Sequence, residues 1–150
     1  MMRRTAFIRE YQPAEEMTEG QLQANVNHAF REIGAEFVYH TTFSFASPAS
    51  FPDTFVIFHD RVIVIELKKE KGIFKPTRLN QKNQFILGQL DILELFIKTG
   101  KIEGYTMKPS EWYAGKFEHI IAGTEPMADI PALRKFEGKS NLSKFTGKEK

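Results

Sequence analysis

Two apolar runs, Thr54–Phe58 and Val62–Leu67, follow one another with little more than His59-Asp60 between them. Nearly every position in both is apolar, which predicts strands covered on both faces. The connection is too short for a helical crossover, so the strands should form an antiparallel hairpin. His-Asp is not a favoured hairpin dipeptide, and the loop geometry stays open. A turn at His59-Asp60 pairs position 58 with 61, 55 with 64 and 53 with 66. Whatever the rest of the chain does, it has to cover this hairpin.

The flanking sequence offers the cover. Thr18 lies three residues before Gln21, a capping-box spacing. Leu22, Val26, Phe30 and Ile33 then recur at helical intervals up to Gly34, which predicts a helix over 19–33. Alternating aromatic and β-branched residues predict a strand over 37–45, and Ala46–Ser50 reads as a loop of small residues. After a polar stretch, 68–80, the apolar positions Phe85, Leu87, Leu90, Leu93, Phe96 and Ile97 predict a second helix over 81–99, stopped by Gly100. Residues 102–107 suggest a last strand, and 112–121 a return to the body. With 150 residues the chain suits one domain. Its expected organisation is an arm over 1–16, a domain over 17–122, and a basic, flexible tail over 123–150.

Side chains alternate along a strand, so Val62, Val64, Glu66 and Lys68 share a face. That face begins apolar and ends charged. The hairpin register sets Asp53 directly across from Glu66, where Cβ atoms lie about 4.5–5.5 Å apart. Two sheltered carboxylates at that separation need a counter-charge. A hard divalent cation meets the need, because Mg²⁺ takes one or two carboxylates plus phosphate oxygens. Lys68 can orient or deprotonate a water, or neutralise charge on a phosphorus-centred transition state. Glu19, at the mouth of the first helix, offers a third carboxylate. The plainer alternative is an exposed strand-end ion pair, with Asp53 a turn residue after Pro52. The absence of cysteine excludes disulfide scaffolds, thiolate zinc sites and cysteine nucleophiles.

From Met17 to Trp112 the chain resembles the VRR-NUC (virus-type replication–repair nuclease) family of the PD-(D/E)xK superfamily. The resemblance rests on Met17-Thr18-Glu19 with Gln23, Tyr39-His40-Thr41, and Phe51-Pro52-Asp53. It continues through Glu66-Leu67-Lys68, Glu70-Lys71-Gly72, Leu79-Asn80-Gln81-Lys82, and Lys108-Pro109-Ser110-Glu111-Trp112. Ser50 stands where the family usually has Gly, and Phe45-Ala46 where it often has arginines. The resemblance implies an α/β fold, a restriction-endonuclease-like mixed β-sheet flanked by helices, and metal-dependent cleavage of DNA. It implies Mg²⁺ or Mn²⁺ held by Glu19, Asp53, Glu66 and the backbone carbonyl of Leu67. Lys68 would be catalytic, and Gln81 an active-site helper. It also implies a homodimer, with branched or Holliday-junction DNA as a substrate in viral or prophage replication or repair.

A net charge of +2 hides a polar distribution. Residues 1–60 carry four basic and eight acidic groups, whereas 61–82 carry seven basic and two acidic. Lys69, Lys71, Lys75, Arg78 and Lys82 are therefore the expected contacts to a phosphate backbone. The basic residues after Arg134 could add to them. Two other functions remain open: a non-catalytic DNA-binding module that keeps the fold, and a dimeric restriction-type endonuclease. No apolar run approaches the ~18 residues of a membrane span, and no h-region marks a signal peptide. The expected location is the cytoplasm of a bacterium or host cell, with no membrane partner.

Overall fold

The structure, a computed structural model, describes residues 12–40, 51–79 and 81–135. The expected hairpin is present. Strands β2 (Thr54–Phe58) and β3 (Arg61–Leu67) pair antiparallel, with Phe58 opposite Arg61 and Thr54 opposite Ile65. His59 takes a left-handed conformation at φ 57° to close the turn. Its N–H donates to Glu36 Oε1 at 2.7 Å, which helps hold a residue type that seldom sits there. Strand β1 (Phe37–His40) pairs antiparallel with β2, and residues 41–45 of the expected longer strand lie outside the described residues. Strand β6 (Glu103–Met107) pairs parallel with β3 and completes a mixed sheet ordered β1-β2-β3-β6. A separate two-stranded ribbon joins β4 (Arg78–Leu79) to β5 (Phe85–Ile86).

Helices cover both faces. Ile63, Ile65 and Leu67 point into one layer, with α1 (Glu19–Glu32), α3 (Pro109–Tyr113) and α4 (Lys116–Ala122). Leu22, Val26, Ala29, Phe30, Trp112, Phe117 and Ile120 fill that layer. Val64 points the other way, toward α2 (Gln89–Lys98) and α5 (Ile130–Arg134). Each large apolar side chain removed from water here contributes about 1.5–3 kcal/mol. The alternation settles which layer Glu66 belongs to: it shares Val64's face, under α2.

Two expectations need correction. The second helix runs over Gln89–Lys98, not 81–99, because 81–86 turn and pair in the β4–β5 ribbon. Residues 128–134 are not part of a flexible tail. Ala128 N–H donates to the Gly104 carbonyl at 2.9 Å, Ile130 is buried, and Arg134 grips Asp91 and Glu94 on α2. The sheet face under α2 leaves apolar surface uncovered, and a short amphipathic segment closes it.

Arg61 fastens the far end of the hairpin. It makes a bidentate pair with Glu103, both contacts 2.7 Å, and donates to the carbonyls of Ile120 and Ile121 at the end of α4. The Ile120 carbonyl also accepts the N–H of Gly123, the C-cap of α4, at 3.1 Å, and a cation suits a helix C-terminus. Arg61→Gln should cost about 2–3 kcal/mol in urea denaturation. The Arg61 guanidinium also holds the Glu103 carboxyl below its ordinary value. A lowered folded value means this stability is present above the unfolded value and is lost as pH falls through the folded one. The acid limb of wild-type stability should therefore be steeper than that of the variant. Equal limbs and equal midpoints would refute the anchoring role.

Candidate active site

The charged end of the hairpin is where three chain segments meet. Pro52 is buried and delivers Asp53 to the start of β2. The register Thr54↔Ile65 continues outward and sets Asp53 across from Glu66. Asp53 Oδ2 accepts the Leu67 N–H at 2.8 Å. Gln23, one turn into α1, donates from Nε2 to the Asp53 carbonyl at 2.8 Å. The sheet edge and the helix are thus stitched together at Asp53.

Glu66 is only 1% exposed. Its Oε2 accepts from Gln89 Nε2 at 2.6 Å. Its Oε1 is buried and finds no hydrogen-bond partner among the described residues. Burial pushes the Glu66 carboxyl well above its ordinary value, and the neighbouring Asp53 charge pushes it further. Burial raises Asp53 as well, against the Leu67 N–H and Lys68, which favour its ionised form. The two acids behave as one titrating unit that keeps a proton past the usual carboxylate range.

Lys68 leaves β3 with its N–H donated to the Met107 carbonyl at 3.1 Å, so the pairing with β6 holds its backbone. The residue is 6% exposed, rare for a lysine. Its Nζ lies 3.7 Å from Glu19 Oε1. Glu19 is the first residue of α1, where the Thr18–Gln21 capping box fixes the helix start. It is turned to Lys68, and among the described residues no three acid or histidine side chains are gathered into a cage for a cation. The donors that are gathered, two carboxylates with one orphaned buried oxygen, are all hard oxygens and fit a hard divalent cation.

The glutamine at this site is Gln89. Gln81 lies in an exposed turn ahead of the β4–β5 ribbon. Gln89 opens α2, and its Oε1 accepts the Lys75 N–H at 2.8 Å while its own N–H donates to the Lys75 carbonyl at 2.9 Å. Sequence reasoning missed it by extending the helical period too far back. Gln81-Lys82-Asn83 is turn chemistry, and Asn83 does adopt φ 60°. Gly88 just before Leu90, Leu93 and Ile97 was the available signal for a later helix start.

The five expected phosphate contacts, Lys69, Lys71, Lys75, Arg78 and Lys82, are all exposed along the segment that leaves Lys68. Glu70, among them, accepts the Ser110 N–H at 3.0 Å and pins the segment to α3. Trp112 is a core residue. Comparison with protein-family models, with curated proteins and with solved structures finds no match to this chain.

Proposed function

We propose that this chain is a metal-dependent endonuclease that hydrolyses DNA phosphodiester bonds on a PD-(D/E)xK core of the VRR-NUC type. The observation that carries the reading is the carboxylate pair, half-buried Asp53 and buried Glu66, beside a nearly buried lysine. A fold gains no stability from two desolvated acids and a desolvated ammonium at one strand end. The resemblance over 17–112 supports the same reading, as does the exposed basic segment beginning at Lys69.

Asp53 and Glu66 would hold Mg²⁺ or Mn²⁺, with Glu19 and the Leu67 carbonyl as further donors. Bound there, the cation would polarise the scissile phosphate and lower the pKa of an attacking water. The protein's own part is more specific. Gln89 fixes the Glu66 carboxyl in orientation, and the Leu67 N–H does so for Asp53. Lys68, held near Glu19, is placed to orient the water or to stabilise charge building on the phosphoryl oxygens. Lys69, Lys71, Lys75, Arg78 and Lys82 would neutralise backbone phosphates. A homodimer acting on branched DNA in replication or repair extends this proposal.

The test is cleavage of supercoiled plasmid and of a synthetic four-way junction, with Mg²⁺, with Mn²⁺ and with EDTA. Wild type should cut with either metal and not with EDTA. Lys68→Ala should lose about a hundredfold or more of that activity while binding DNA normally. Equal inertness of wild type and variant under every metal sinks the enzyme reading and favours a DNA-binding module. Equal cutting of plasmid and junction sinks the preference for branches.

A further inference from the structure

Beside Asp53, where α1 faces the end of β1, lies a cavity of about 290 Å³ walled by Gly20, Gln23, Ala24, Asn27, Arg31 and His40. None of the six is acidic, in the half of the chain where acids outnumber bases. Gln23 joins the cavity to the site directly, because it is the residue bonded to the Asp53 carbonyl. Arg31, in the last turn of α1, lies farther along it, and His40, at the end of β1, pairs with Thr54 next to Asp53. Eleven residues of helix separate Gly20 from Arg31, a path of roughly 16 Å at 1.5 Å per residue.

Gly20 adds an argument of its own. It is the second residue of α1, where fixing glycine costs more conformational entropy than fixing alanine. The protein does not require it there: an added Cβ would meet nothing nearer than Thr18 Oγ1 at 3.9 Å. Contrast Gly88, whose Cβ would fall 2.5 Å from a carbonyl oxygen. A glycine with open space in front of it allows close approach from outside.

We propose that this cavity holds the phosphodiester backbone of the DNA strand flanking the scissile bond. Arg31 and His40 would contact a phosphate, and the bare surface at Gly20 would let the strand pass close to the helix on its way to Asp53 and Glu66. This rests on the nuclease reading and adds a second track to it, separate from the basic segment 69–82. Gln23 and Asn27 line the path as polar walls. Asn27 accepts from Thr54 Oγ1 at 2.8 Å, so its orientation is fixed by β2.

The experiment measures binding of fluorescein-labelled single-stranded and duplex DNA in Ca²⁺ by anisotropy, across a salt series, alongside cleavage kinetics in Mg²⁺. Arg31→Ala and His40→Ala should each weaken binding about threefold to tenfold. Arg31→Ala should also reduce the slope of log K against log salt by about 1, and Arg31→Lys should restore it. Most of the loss in kcat/KM should be in KM. Gly20→Gln should melt at a higher temperature than wild type and yet bind DNA more weakly, a combination a purely structural role does not produce. If wild type cuts DNA while Arg31→Ala, His40→Ala and Gly20→Gln bind with unchanged affinity and slope, the second track is wrong and the nuclease reading stands. If wild type neither binds nor cuts, both fall.

Discussion

Glu66→Gln should sharply reduce cleavage and, in the absence of metal, make the protein more stable. The amide is nearly isosteric. Its Oε1 can accept from Gln89 Nε2, and its Nε2 can donate to Asp53, which removes the orphaned oxygen. Relief of a buried, donorless carboxyl oxygen amounts to about 1–3 kcal/mol. The sign of the pH effect follows from the raised Glu66 value. Folded protein keeps a proton that the unfolded chain releases, so wild-type stability should fall as pH rises from the ordinary carboxylate value to the raised one. As pH rises above the ordinary carboxylate value the variant should be flatter. Divalent cation should raise the wild-type melting temperature at neutral pH and leave the variant's nearly unchanged. Activity should drop about a hundredfold to a thousandfold. Melting curves with and without Mg²⁺ decide it: a variant less stable than wild type, yet equally stabilised by metal, would show that Glu66 is not the liability described.

Gly88→Ala should be the most damaging glycine-to-alanine change among the described residues. The backbone of 75–77 crosses Gly88 so closely that a Cβ would lie 2.5 Å from the Lys75 carbonyl oxygen and 2.6 Å from Thr77 N. Neither is the end of a flexible side chain, so main chain must move. The cost expected of such overpacking is about 2–3 kcal/mol. The same contact organises the start of α2. Gly88 N–H donates to Thr77 Oγ1 at 2.8 Å, Thr77 donates to Asp91, and Arg134 grips Asp91 from α5. Moving 75–77 breaks that set and draws Gln89 away from Glu66. Cleavage should therefore fall even at a temperature where the variant is fully folded. A urea midpoint within error of wild type, or full activity in the folded variant, would refute the crossing as described.

The acidic pair was legible because hairpins are local. A two-residue turn and a period of two fix position 53 against 66 with no tertiary information. Lys68 followed from the same parity. Other contacts depend on packing between distant segments. Gln89 reaches Glu66 only once α2 lies across the sheet, and Phe85 and Leu87 fit a helical period as well as a strand. The turn of Glu19 toward Lys68 depends on where α1 docks. Residues 128–134 look like a tail in sequence because Ile130 and Leu133 are only two apolar side chains. Their value is visible only beside the sheet face they cover.

Lys75 offers both its N–H and its carbonyl to Gln89, and Gln89 holds Glu66. The basic segment is therefore wired to Glu66 through Gln89, not merely adjacent to it. Linkage makes such wiring reciprocal. On the proposed function, a polyanion that shifted Lys75 would change the affinity of the acids for a cation, and the cation would change the affinity of the segment for the polyanion by the same factor. Recognition and metal capture would then be two readings of a single equilibrium.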